Sequence, residues 1–161
     1  MEYSIRRART EDMGQVLQLI QELATFEKEE NAVDVTEKQL MNDGFGNTKL
    51  FQCFVADTEN GIGGMALVYP RYSTWKGAII HLEDLIVTEK MRGTGLGTAL
   101  LDEVVKYGHS LGVKRINWEV IDWNEPAIEF YESKGAKVMR DWDVVQLDEK
   151  GIENYLRNIQ D

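Results

Sequence analysis

Residues 82–97, LEDLIVTEKMRGTGLG, combine an apolar run carrying two adjacent carboxylates with a glycine-rich segment that opens a helix. Such a junction points backbone N–H groups at whatever lies above the helix N-terminus, and the helix dipole favours negative charge there. Arg92 stands beside those amides and Lys90 is close in sequence. The stretch reads as an anion site, suited to a phosphate-bearing cofactor. Glu83 and Asp84 lie within a few residues of it, so a group able to handle a proton sits next to the cradle.

The glycine spacing narrows the anion. Gly93, Gly95 and Gly97 give G-x-G-x-G, where a dinucleotide fingerprint needs G-x-G-x-x-G after a first strand and a P-loop needs G-K-[ST]. Neither NAD nor nucleotide hydrolysis fits. A plainer alternative is that the glycines only allow close strand–helix packing.

The remaining reactive residues exclude other chemistries. The one cysteine, Cys53, lies in the apolar run FQCFVA and is expected in the core. With a single cysteine no disulfide framework can form, and the two histidines, His81 and His109, lack ligand spacing; no metal is expected. No serine–histidine arrangement suggests a covalent acyl-enzyme.

The 161 residues are enough for one domain with a real core. Eighteen Lys and Arg against 28 Asp and Glu leave a net charge of −10, which disfavours nucleic acid and anionic membrane as partners but not an amine. The N-terminal residues show no signal-peptide apolar region and no segment approaches ~18 apolar residues, so a cytoplasmic location is expected.

The elements that position the site follow from periodicity. A short strand over 4–7 precedes a helix to residue 25, capped at Thr10, with Met13, Val16, Leu17, Ile20, Leu23 and Ala24 at helical spacing. Thr36 and Gln39 form a capping box for a short helix to about residue 42. Strands are expected over 51–56 and 63–69, with a loop over 70–77 and a long central strand over 78–87. Alternation along that strand places Glu83 and Asp84 on opposite faces. A helix over 94–111 stops at Gly112, and a strand over 115–121 should run parallel to the central one. Asn124 caps a further helix with Pro126 in its first turn and Gly135 beyond its end. Late strands over 137–139 and 143–147 and a closing helix over 152–159 complete an α+β, three-layer arrangement. A mixed twisted sheet with helices on both faces results.

R-x-x-G-x-G opening a helix after a central strand resembles the signature of the GCN5-related N-acetyltransferases, whose loop amides hold the pyrophosphate of acetyl-CoA. Further blocks extend the likeness over nearly the whole chain: ELATFEKEE (22–30), LMNDGFG (40–46), LEDLIV (82–87) and DWNEPAIEFYESKGA (122–136). Together they are similar to the spermidine/spermine and thialysine N-acetyltransferase branch. The resemblance implies the GNAT fold over 1–161 as a single domain, with a bulged central strand that splays from the strand after it.

It also implies roles. The backbone of Leu85, Ile86 and Val87 would pair with the pantetheine arm. Arg92, Gly93, Thr94, Gly95, Leu96, Gly97 and Thr98 would hold the pyrophosphate, and Asn124, Glu125, Pro126 and Ala127 would meet the cofactor from the other side. Tyr131 matches the catalytic tyrosine and Glu83 a substrate-side carboxylate; Phe26 and Glu27 match a substrate-contacting loop. Asn117, Trp118 and Glu119, on the following strand, are further substrate-side candidates. A homodimer built partly by the C-terminal strands is implied as well.

The chemistry is consistent with those roles. A primary amine arrives as an ammonium, because its pKa is roughly 10. Glu83 would attract it and accept its proton, a backbone N–H near Leu85 would meet the oxyanion, and a phenol at Tyr131 would protonate the leaving thiolate. One departure bears on the substrate: Arg140 falls where the polyamine enzymes carry a glutamate, and a cation there suits a substrate with a carboxylate, such as thialysine, better than spermine. Two alternatives stay open, a protein or peptide N-acetyltransferase on the same fold and a non-catalytic acyl-CoA-binding regulator.

Overall fold

The computed structural model describes residues 2–159; Met1, Gln160 and Asp161, the ends of the expected 1–161 domain, lie outside the described residues. The element order is β1 (Tyr3–Arg7), α1 (Met13–Phe26), α2 (Glu37–Phe45), β2 (Gln52–Thr58), β3 (Gly61–Ser73), β4 (Gly77–Val87), α3 (Leu96–Ser110), β5 (Ile116–Asn117), α4 (Glu125–Ser133) and α5 (Glu149–Asn158). The chain divides into two compact units, Met1–Ile121 and Asp122–Asp161.

The first unit is a five-stranded mixed sheet in the order β1-β2-β3-β4-β5, antiparallel except for the parallel β4–β5 pair. Helix α1 packs on one face, where Met13, Val16 and Leu19 meet Cys53, Val55, Met65, Leu67 and Ile86. The other face carries α3. There Phe54 meets the Tyr107 ring edge-on at 5.5 Å, and a Cβ on Gly64 would lie 3.1 Å from Leu100. The α+β sandwich is thus the expected one, but β3 rather than β4 is the middle strand; β4 lies between β3 and the short edge strand β5, with Ile79, Ile80, Leu82 and Ile86 buried.

Several boundaries differ for physical reasons. β3 continues through Tyr69, Pro70 and Arg71 to Ser73, because β4 pairs with it along the whole of that length. Thr10 begins a 3-10 turn, and Asp12 precedes α1. β5 is two residues long where a strand over 115–121 was expected. Among the described residues no strand forms over 137–139 or 143–147. Alternating apolar residues make a strand only against a partner edge, and Val144, Val145 and Leu147 are exposed.

The second unit contains α4 and α5. Asn124 Oδ1 accepts from the Ala127 N–H at 3.4 Å, and Gly135 adopts φ +90° just past the C-terminus of α4. Ile128 and Tyr131 form the buried stripe of α4. Asp148 Oδ1 caps α5 through the Gly151 N–H at 2.8 Å.

The edge of the sheet is tied to α1 by a buried charge. Asp12 accepts two hydrogen bonds from the Arg6 guanidinium, at 2.8 and 3.0 Å, and one from the Arg9 N–H at 2.7 Å. The bond to Arg6 holds its carboxyl below the usual carboxylate range. Asp12→Ala removes these bonds and should cost about 2 to 4 kcal/mol. A depressed carboxyl stabilises the fold above its ordinary pKa and loses that contribution as pH falls through the lowered one. Calorimetry should therefore show a wild-type melting temperature that falls more steeply below about pH 4 than that of the variant.

Candidate active site

Strand β4 connects the two halves of the candidate site in the first unit. Its pairing with β3 shifts register: Leu67 faces Asp84, and the next residue, Val68, faces Leu82. Glu83 is the extra residue of a β-bulge. A bulge changes which face the following side chains occupy and increases the local twist. On the α1 face Met65, Leu67 and Tyr69 stand opposite Ile86, Asp84 and His81. The opposite faces expected for Glu83 and Asp84 from simple alternation are therefore corrected. Glu83 leans towards the Asp84 side, its Oε2 accepting from the Tyr69 hydroxyl at 3.2 Å and lying 3.6 Å from His81 Nε2.

This brings carboxylates together. Burial pushes the Asp84 carboxyl up to about 6, with Glu83 and Glu27 adding repulsion. Glu27, at the end of α1, is also raised, by burial and then by Glu29. Glu119 adds its field to Tyr69 and His81. Of the sequence candidates, Glu83 thus shares Asp84 with Glu27, and shares Tyr69 and His81 with Glu119. Asn117 pairs in register with His81, but its Oδ1 already accepts from Arg115 Nε at 2.8 Å. Trp118 is half-buried. Phe26 lies under the Arg92 guanidinium, 5.4 Å from ring centroid to carbon, which joins this candidate to the glycine loop.

The parallel pairing of β4 with β5 covers Ile80 and His81 only. Over residues 82–87 β4 keeps β3 on one side, and no β5 pairing on the other. The splay expected for the central pair is present, and it starts immediately before the bulge. Leu85, Ile86 and Val87 lie on this divergent stretch. A strand edge without a ladder partner is a template for an extended ligand.

Beyond β4 the chain turns through residues 89–91 into the glycine segment. Gly93 and Gly95 take φ +76° and +89°, a region that favours glycine. A Cβ would meet nothing within 4 Å at Gly93 and only ordinary contacts at 3.8 Å at Gly95 and Gly97. Close packing therefore does not account for these glycines; backbone conformation does at positions 93 and 95. The loop is exposed, and the first intrahelical bond of α3 runs from Ala99 N to Gly95 O. The N–H groups of Leu96, Gly97 and Thr98 have no acceptor within the helix. Thr94 instead turns its hydroxyl back to Met91 O at 2.6 Å, and Arg92 Nε donates to Val87 O at 3.4 Å.

One clamp was missed in the sequence. Glu22 on α1 accepts from the Thr88 hydroxyl at 3.0 Å and from the Glu89 N–H at 2.8 Å, fixing the exit of β4. Tyr69, Arg71 and His81 were missed as well. Their i, i+2 spacing on β3 marks Tyr69 and Arg71 as one face, but their meeting with His81 depends on strand register. In the second unit the candidates Asn124, Glu125, Pro126 and Ala127 form the capped start of α4, and Tyr131 lies two turns further on. Cys53 is buried and its thiol pushed up to about 12 by burial, which makes it unreactive.

Comparison with known proteins gives concordant results. The acetyltransferase (GNAT) family model matches residues 13–136. The thialysine N-epsilon-acetyltransferase of Bos taurus is 38% identical over 141 residues, 83% of each chain. The spermidine/spermine N(1)-acetyltransferase-like protein 1 of Homo sapiens is 33% identical over 83% of this chain and 20% of its own. Among solved structures, an integron cassette protein of V. cholerae superposes with a TM-score of 0.78 at 21% identity, covering 98% of this chain and 99% of its own. An aminoglycoside acetyltransferase from a soil metagenome gives 0.71 at 20% identity, covering 89% and 97%. At those identities the two structures share the fold.

The raised Asp84 carboxyl makes a stability prediction. Its folded-state pKa of about 6 lies above the ordinary 3.8, so its favourable neutral form is fully available at low pH and is lost as pH rises through 6. Asp84→Asn should leave the melting temperature nearly unchanged at pH 4 and raise it at pH 7.5, by at most about 3 kcal/mol of stability. Calorimetry at the two pH values measures the difference.

Proposed function

The chain belongs to the GNAT acetyltransferase family, and from that premise we propose that it transfers acetyl from acetyl-CoA directly to a small primary amine of the thialysine, diamine or polyamine type. The observation that carries this reading is the divergent edge of β4, which runs from the bulged carboxylate at Glu83 to the glycine loop at Gly93. One strand thus offers a proton acceptor, an open backbone edge and a route to an anion cradle. The proposed placement of the donor follows: pantetheine along Leu85, Ile86 and Val87, and pyrophosphate over residues 93–98 with Arg92 nearby. Asn124, Glu125, Pro126 and Ala127 would contact the cofactor as well.

The proposed substrate side is the acidic face of Glu27, Glu83, Asp84 and Glu119, with Phe26, Asn117 and Trp118 about it. Its negative charge favours an ammonium ion, and Glu83 takes the proton that must leave before nitrogen attacks the thioester. A backbone N–H near Leu85 would meet the developing oxyanion. Tyr131 donates to the departing CoA sulfur. No covalent acyl-enzyme is needed.

We further propose a homodimer assembled through the C-terminal segment. Trp142, Val144, Val145, Leu147, Tyr155 and Leu156 are exposed in the single chain, an apolar stretch suited to burial against a second copy.

Incubation with acetyl-CoA and a panel of amines, read by release of CoA thiol, tests the reaction. Thialysine or a short diamine should give a higher kcat/KM than spermine. A clear preference for spermine would reject the substrate assignment, and acetyl-CoA binding without thiol release would favour a regulator. Tyr131→Phe should lower kcat by roughly tenfold or more with acetyl-CoA affinity nearly intact; full turnover in that variant removes the tyrosine from the mechanism.

A further inference from the structure

Glu83 does not stand alone on its face. Arg71 Nη1 lies 3.3 Å from Nδ1 of His81, and His81 Nε2 lies 3.6 Å from Glu83 Oε2. Tyr69 donates to that same Oε2 at 3.2 Å, and its ring rests against the imidazole with centroids 5.2 Å apart. His81 is only 5% exposed, in the middle of the sheet opposite Tyr69, whereas Arg71 is exposed.

The order of these contacts determines proton positions. A guanidinium can only donate, so Nδ1 must accept and the ring proton must sit on Nε2, facing Glu83. The groups acting on the ring are Arg71, Glu83, Glu119 and Tyr69. Burial is the largest influence and opposes protonation, Arg71 opposes it too, and the two glutamates favour it. The balance keeps the ring neutral. Tyr69 and His81 therefore both address Oε2 of Glu83, and neither engages Oε1.

We propose that His81, set in its Nε2–H tautomer by Arg71, is a positioning residue that works with Tyr69 to hold Glu83 by Oε2 and present Oε1 to the incoming ammonium. The inference rests on the reading of Glu83 as the proton acceptor. The proton leaves the amine nitrogen for Oε1, and the nitrogen lone pair is then free to attack the thioester carbon. The ring proton stays on Nε2, because Nδ1 is occupied by Arg71 and cannot pass a proton onward. The 3.6 Å contact is longer than a hydrogen bond, and the proposal requires it to shorten when the amine is bound.

Two measurements on the full chain test this. The sequence has two histidines, so nitrogen-15 NMR of the imidazoles, with His109→Gln for assignment, reads the His81 tautomer directly. Wild type should show the neutral Nε2–H form at pH 7, and Arg71→Met a mixture of tautomers. In steady-state kinetics His81→Phe should lower kcat/KM for the amine roughly tenfold, the effect of losing one hydrogen bond to a charged group. KM for acetyl-CoA should hold. His81→Gln, whose amide can donate near the Nε2 position, should recover most of the loss, and Arg71→Met should show a smaller loss in the same constant. A Nδ1–H tautomer or a charged ring at pH 7 overturns the proposal whatever the activity. So does a wild-type kcat/KM in His81→Phe, or a His81→Gln no better than His81→Phe. Should His81→Phe fail to fold, wild-type kinetics in both Arg71→Met and Tyr69→Phe overturn it. Wild type that shows the expected tautomer yet releases no CoA thiol with any amine instead removes the transfer reading, and the proposal with it.

Discussion

The structure of the first unit depends on one inserted residue. Between Leu82 and Asp84, β4 carries Glu83 with no partner on β3. Removing that residue from the count would leave an unbroken ladder, with Asp84 still on the α1 face and no second carboxylate beside it. With it, the strand twists, its parallel pairing with β5 ends at His81, and two carboxylates share the α1 face. The open edge and the acidic face therefore have one geometric cause. The core tolerates this because apolar residues flank the bulge on both sides: Ile79, Ile80 and Leu82 before it, Ile86 after it.

The electrostatics of that face follow from where the charges are brought. Asp84 is partly withdrawn from water and stands near Glu83 and Glu27, so ionising it is costly and its carboxyl is pushed up to about 6. Glu83 is exposed and keeps a tyrosine donor. Adjacent residues on one strand thus differ in their access to water. A face rich in carboxylates but relieved by Arg71 is suited to a small cation that carries other polar groups, which agrees with the proposed amine substrate.

The glycine loop works on a different principle. Its two left-handed residues, Gly93 and Gly95, bend the chain into the start of α3; open space lies over Gly93, and only the Tyr3 hydroxyl comes near Gly95, at 3.8 Å. Glu22 secures the strand's exit through Thr88 and Glu89, and Arg92 returns to Val87, so the loop is anchored at its base and open at its tip. A phosphate-bearing ligand approaches backbone most closely where no Cβ intervenes.

Much of this was legible in the chain because it is local. Caps at Thr36 and Asn124, the left-handed stops at Gly112 and Gly135, and the apolar stripes of α1 and α3 each involve residues within about one or two turns of one another. The glycine motif belongs to the same class, which is why sequence alone identified the acetyltransferase family and the candidate stretch. The rest required pairing between distant segments. Alternation cannot reveal a bulge, since the extra residue is defined only against the opposing strand; hence Glu83 and Asp84 were assigned to opposite faces. The meeting of Arg71, His81, Glu83 and Tyr69 depends on the β3–β4 register, and the Glu22 clamp on the docking of α1 sixty-odd residues away from Thr88 and Glu89. The late strands read from alternation at 137–147 failed for the same reason in reverse: a strand is a relation between two edges, and these residues have no such edge within the described chain. Sequence determined the family, the candidate residues and the turns that present them; the tertiary structure decided which side each carboxylate faces and what holds it there, because those choices are made by the neighbouring strand.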